Sequence, residues 1–88
     1  MTPGDERIVA AIFQLLDLRA ASSTICPSDA ARSLASEESQ WRALMPEVRR
    51  VAAALAAAGS LRVTAHGEDV DALQARGPIR LSRPINPD

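Results

Sequence analysis

The stretch that decides the fold is Met45-Pro46-Glu47-Val48-Arg49-Arg50-Val51-Ala52-Ala53-Ala54-Leu55-Ala56-Ala57-Ala58-Gly59. Val48, Val51 and Leu55 recur at the spacing of one helix face, which predicts an amphipathic helix. Pro46 suits the first helical position, because its missing N–H would have no partner there. Gly59 suits the residue just after the helix, where the backbone turns left-handed. The stretch therefore predicts a helix over 46–58.

Two further helices are predicted upstream of this stretch. Thr2 can cap a first helix that runs from Pro3 or Gly4 to Arg19 or Ala20, since Ile8, Ile12 and the following leucines share one face. Pro27 starts a second helix that ends near Ala35. Between these two helices, residues 24–26 could form a very short strand. Trp41 and Leu44, three residues apart, predict a separate helical turn before the main helix.

The residues after Gly59 predict two strands. Residues 61–65 and 78–82 each alternate apolar with polar side chains, as half-buried strands do, and we expect them to pair antiparallel. His66-Gly67 indicates a turn. The intervening loop, 66–77, is polar, with Val70 and Leu73 as its only apolar anchors.

This order of elements predicts a mainly α protein with a small antiparallel β-hairpin, an α+β fold of the winged helix-turn-helix type in which the loop 66–77 is the wing. The chain of 88 residues has room for one domain. We expect that domain to span residues 1–83 and residues 84–88, which contain two prolines, to form a loose tail.

Composition limits the cellular setting. One cysteine forms no internal disulfide, so the protein does not require an oxidising compartment. The first apolar run, 8–13, is too short for a signal-peptide core or a membrane span. We therefore expect a cytoplasmic protein that does not bind membranes.

Four blocks of the sequence resemble a small bacterial family of uncharacterised domains. The blocks are Ile25-Cys26-Pro27-Ser28-Asp29-Ala30-Ala31-Arg32, Trp41-Arg42-Ala43-Leu44-Met45-Pro46, Val48-Arg49-Arg50 and Arg76-Gly77-Pro78-Ile79-Arg80-Leu81. The resemblance covers roughly residues 5–83. It implies a winged-helix-like fold and a prokaryotic source, and it brings neither an activity nor catalytic residues.

Few residues could support catalysis. Cys26 and His66 are the only thiol and the only imidazole, and the predicted fold keeps them apart. Cys26 is more typical of a partly buried apolar residue, although its place before a helix could also make it reactive. His66 is typical of a solvated turn. One cysteine and one histidine cannot build a closed zinc site. We therefore expect no enzyme activity, catalytic residue, metal, cofactor or small-molecule substrate.

Double-stranded DNA is the first partner that the sequence suggests. Residues 1–41 hold three arginines against six acids, whereas residues 42–88 hold seven against five. In a helix-turn-helix protein the second helix of the motif enters the major groove. We expect Arg49 and Arg50 to contact the groove and Arg62, Arg76 and Arg80 to contact phosphates. The predicted function is weak, backbone-directed binding in a regulatory or accessory role.

The alternative is a non-enzymatic interaction domain without affinity for nucleic acid. Ala53, Ala54 and Ala57 lie on the outward face of the predicted main helix. Small side chains let another helix approach closely, so this face could bind a protein partner or a second copy of the chain. The fold serves both functions and does not decide between them.

Overall fold

The computed structural model describes residues 2–20 and 23–84. Within these residues the chain forms α1 (Pro3–Asp17), α2 (Pro27–Leu34), α3 (Glu38–Ala57), β1 (Arg62–Ala65), β2 (Glu68–Asp69) and β3 (Arg80–Ser82). The strands form one antiparallel sheet in the order β2-β1-β3. This winged-helix-like layout confirms the predicted α+β class. Residues 85–88 of the predicted tail lie outside the described residues.

Helix α1 begins as the sequence predicts. The Thr2 hydroxyl accepts a hydrogen bond from the Asp5 N–H, and the Asp5 carboxylate accepts one from the Thr2 N–H. This reciprocal capping box satisfies two N–H groups that a helix end otherwise leaves unpaired. The predicted end at Arg19 or Ala20 is wrong, because the final turn tightens and the Arg19 N–H reaches the Leu16 carbonyl oxygen at 3.2 Å.

Helix α3 begins eight residues before the predicted start, so the assignment of Pro46 to the first helical position is wrong. The predicted separate turn at Trp41 and Leu44 belongs to this same helix. Their side chains extend the buried stripe of Val48 and Val51 toward the N-terminus, which favours one continuous helix. Pro46 lies on the exposed face, where water can solvate the Arg42 carbonyl that lacks a helical donor.

The end of α3 confirms the role predicted for Gly59. Its φ is +79°, in the left-handed region. The Gly59 N–H bonds to the Ala56 carbonyl at 3.0 Å, and the Ser60 N–H bonds to the Leu55 carbonyl at 2.9 Å. These two hydrogen bonds form a Schellman motif, which turns the chain from α3 toward β1.

The predicted pairing of 61–65 with 78–82 is confirmed in a shorter form, with Val63 opposite Leu81. Residues 24–26 form only an isolated bridge between Ile25 and Leu81, not a strand. The loop predicted at 66–77 contains β2, which pairs with β1 through a two-residue turn. His66 and Gly67 both have positive φ in this turn, at 53° and 82°, as a type I′ hairpin requires.

The core lies where the three helices meet the inner face of the sheet. It is aliphatic, and Phe13 and Trp41 pack on its edge. Its most deeply buried large residues are Ile12, Ile25, Val48, Val51, Ile79 and Leu81. No helix in the described part of the chain is both long enough and apolar enough to cross a membrane.

Candidate interaction groove

Arg49 lies on the flank of α3 and binds the segment that returns toward β3. Its Nη1 donates to the carbonyl oxygens of Ala72 and Ala75, at 3.4 and 3.1 Å, and its Nη2 donates to the carbonyl of Gly77 at 2.7 Å. A guanidinium can span several acceptors because its donors lie in a rigid plane. Arg49, predicted to contact the DNA groove, thus fastens residues 72–77 onto α3.

Arg50 faces the start of α1. Its guanidinium binds both Asp5 oxygens, at 3.2 and 2.5 Å, and its Nη2 also lies 2.6 Å from Glu47 Oε2. The hydrogen bond from Arg50 is the main cause that lowers the pKa of Asp5, and the same bond raises the pKa of Arg50. Asp5 is 6% exposed, so moving the Arg50 guanidinium to another partner would leave a buried carboxylate without its ion pair.

Two other predicted phosphate contacts also have intramolecular partners. Arg62 Nε donates to Asp69 at 2.7 Å and joins β1 to β2. Arg80 binds the Thr24 hydroxyl at 2.8 Å, the Thr24 carbonyl at 3.1 Å and the Cys26 sulfur at 2.9 Å. These contacts hold the start of α2 against β3.

Arg76 differs from the other four predicted arginines. It is exposed, and within residues 2–20 and 23–84 it makes no hydrogen bond or ion pair.

Two further arginines, which the sequence does not single out, contact Trp41. Arg32 of α2 and Arg42 of α3 lie 4.6 and 5.4 Å from the centre of its ring. The i, i+4 spacing of Glu38 and Arg42, which form an exposed ion pair, could have indicated that a helix already runs through Trp41.

The alanines of the alternative prediction line a groove. Ala53, Ala54 and Ala57 form its floor, and the chain from Asp69 to Leu73 forms one wall. The volume of this wide part is about 680 Å³. It meets a narrower part of about 420 Å³ toward the start of α3, lined by Met45, Pro46, Arg49, Ala72, Leu73 and Ala75. We call the two parts together the α3 groove.

Leu73 stands between the two parts and contributes to the lining of both. The prediction that Leu73 anchors its loop is wrong, because its side chain is 63% exposed, while Ala72 is 1% exposed and supplies the anchor instead. An Asx turn sets this orientation: Asp71 Oδ1 accepts the Leu73 N–H at 2.8 Å. The result is a large apolar side chain held in solvent above a floor of alanines.

Cys26 and His66 lie in different parts of the fold. Cys26 is half-buried before α2, where its sulfur accepts the hydrogen bond from Arg80. His66 is exposed in the turn between β1 and β2. Neither residue lines the α3 groove.

Comparison with known proteins agrees with the resemblance seen in the sequence. Residues 5–84 match the model of a family described as "Protein of unknown function (DUF3253)". No curated protein matches the chain.

Proposed function

The chain belongs to the DUF3253 family, whose description assigns no activity, and we propose that it is a non-enzymatic protein-interaction domain that binds through the α3 groove. The observation that carries this proposal is Leu73, a leucine 63% exposed beside a floor of α3 alanines. A partner that covers this leucine and the alanines beside it removes apolar surface from water, which favours binding. A cytoplasmic location is part of the proposal.

The shape of the groove suits another polypeptide. Ala53, Ala54 and Ala57 have short side chains, so a partner's backbone can approach α3 closely and place large apolar side chains on the floor. Covering Leu73, which is 63% exposed, would add roughly 1–2 kcal/mol for the part of the side chain removed from water. Arg49 holds the wall of the groove in place through three backbone carbonyls, so the surface is formed before a partner arrives.

Double-stranded DNA is the second candidate partner, and the observation that favours it is Arg76, exposed and unpaired within the described chain. Because α3 begins at Glu38, the outward residues of its first turns include Ser39, Gln40 and Arg42. Their side chains can bond to base edges or phosphates. Against this candidate, Arg49, Arg50, Arg62 and Arg80 already use donors within the protein.

Site-resolved photo-cross-linking in the natural host tests the docking function. A benzophenone amino acid is placed at Ala54 or Leu73 in the groove, with matched controls at Ala10 and Leu18, both exposed on or just after α1. Docking through the groove predicts protein adducts from positions 54 and 73 and none from 10 and 18. Equal labelling at all four positions, or no adduct at any, would contradict the proposal.

Anisotropy of a labelled random duplex tests the DNA candidate. Several phosphate contacts would make binding fall steeply between about 50 and 200 mM salt. Arg76→Ala should then weaken binding, whereas Leu73→Ala should leave it unchanged. Absence of binding at low salt, together with adducts from position 54, would leave protein docking as the function.

A further inference from the structure

We infer that the α3 groove is covered by a second copy of this chain, related by a two-fold axis that sets the two α3 helices antiparallel. This inference rests on the proposed docking function and names the partner. It follows from the presence of a projecting side chain, a matching recess and both signs of charge on one face of the molecule.

The shape of the face is self-complementary. Leu73 projects between the wide and narrow parts of the groove, and the floor beside it is alanine. In a two-fold contact the same patch serves both sides, so each Leu73 can enter the groove of the other copy. The small side chains of Ala53, Ala54 and Ala57 let the two α3 helices approach closely.

The wide part of the groove carries excess negative charge. Asp71 lines it and forms no ion pair within residues 2–20 and 23–84. Arg50 also lines it but is shared between two carboxylates, Asp5 and Glu47. Asp69 is matched by Arg62. Asp5 and Glu47 do not line the groove, so Asp71 is the one surplus carboxylate of the described chain at this end.

The narrow part carries the opposite charge. Arg49 lines it, and its donors go to neutral carbonyl oxygens, so no carboxylate among residues 2–20 and 23–84 pairs with it. Arg76 lies between Ala75, which lines this part, and Gly77, which Arg49 binds. An antiparallel second copy brings the acidic end of each groove onto the basic end of the other, whereas a parallel arrangement would oppose like charges. The dipoles of two antiparallel α3 helices also attract.

The oligomeric state of the full chain tests the shape argument. Sedimentation equilibrium from about 1 to 500 µM should show reversible association from a mass of 9.3 kDa to twice that mass. Leu73→Glu should raise the dissociation constant at least about 100-fold, because symmetry removes both leucines at once. Leu18→Glu is the matched control, since Leu18 is 83% exposed and lies outside the groove, and it should change the constant less than about threefold.

A double-mutant cycle tests the orientation. Arg76→Glu should weaken the dimer about tenfold at low salt, because it places a carboxylate opposite Asp71 of the other copy. Asp71→Asn keeps the acceptor for the Leu73 N–H and removes only the charge. It should weaken the wild-type dimer but strengthen the Arg76→Glu dimer. A purely structural effect of Asp71 would have the same sign in both backgrounds.

Each outcome decides the inference. A monomer at every concentration, a dimer that Leu18→Glu breaks and Leu73→Glu spares, or an Asp71→Asn effect of one sign in both backgrounds would overturn it. If the chain is monomeric but position 54 cross-links to a different protein in the host, the docking function stands and the second copy is wrong. If position 54 gives no adduct either, both proposals fall.

Discussion

Replacing Arg49 by Ala should destabilise the domain by about 2 kcal/mol. Arg49 donates to three carbonyl oxygens, of which those of Ala75 and Gly77 lie at 3.1 and 2.7 Å and that of Ala72 lies at a weaker 3.4 Å. A hydrogen bond from a charged group contributes about 1.5–3 kcal/mol when it is removed from water. The hydrogen bond to Gly77 is exposed, and exposure weakens it. We therefore assign about 1 kcal/mol to each of the two shorter hydrogen bonds, those to Ala75 and Gly77.

The assay is urea unfolding together with a thermal melt. In a domain of this size each kcal/mol shifts the midpoint temperature by about 4–8 °C, so Arg49→Ala should lower it by about 8–16 °C. Arg49→Lys should recover less than half of the loss, because an ammonium group cannot span the same acceptors.

Arg42→Ala is the matched control on the same helix. It breaks the exposed ion pair with Glu38 and the contact of the guanidinium with the Trp41 ring, and it should cost about 1 kcal/mol or less. Equal losses in Arg49→Ala and Arg42→Ala would refute the structural role of Arg49.

Three other changes test the fold. Pro46→Ala should stabilise the protein against urea unfolding by about 2 kcal/mol, because it restores a hydrogen bond inside α3. A loss of stability would instead support a helix that starts at Pro46. Gly59→Ala should lower the free energy of unfolding by about 1–2 kcal/mol, because φ is +79° at this position. Gly4→Ala is the control and should cost nothing, since an added Cβ there meets only an ordinary 3.8 Å contact. Equal effects of the two substitutions in thermal melts would exclude the Schellman turn. Because its pKa is lowered, Asp5 stabilises the fold above its ordinary pKa, and this stabilisation is lost as the pH falls through the lowered value. Asp5→Asn should therefore have a lower midpoint temperature than the wild type at pH 7, and the difference between the two should narrow below about pH 4. A difference that stays constant down to about pH 2 would contradict this role of Asp5.

Features of the fold that depend on neighbouring residues were predictable from the sequence. The Thr2 cap, the left-handed Gly59 and the His66-Gly67 turn are local, because the residue type and its flanks determine the conformation. The β1–β3 pairing was predictable because alternation of apolar side chains identifies the buried face of each strand.

The start of α3 was not predictable from local signals. Proline is common at the first position of a helix, and Pro46 fits that pattern. The tertiary core outweighs it, since Trp41 and Leu44 pack on the same core as Val48. The prediction that Leu73 anchors its loop is wrong for a related reason. Hydrophobicity predicts that Leu73 is buried, but the Asx turn at Asp71 directs Ala72 inward instead.

The partners of the arginines lie far away in sequence, which explains why the sequence could suggest a basic surface but not its use. Arg50 binds Asp5 across 45 positions, and Arg80 binds Cys26 across 54. Neither pair has a periodic signature. The groove formed by Ala53, Ala54 and Ala57 likewise becomes visible only when the 69–75 segment is placed beside α3.

A second copy of the chain that covers the α3 groove in solution would change the surroundings of the groove's backbone amides. The direct measurement is a map of backbone amide chemical shifts for the ¹⁵N-labelled protein, recorded from about 20 µM to about 1 mM. We predict concentration-dependent shifts at residues 50–57 and 69–76, with residues 10–18 unchanged. Shifts confined to residues outside the groove, or none at any concentration, would contradict coverage of the groove by a second copy.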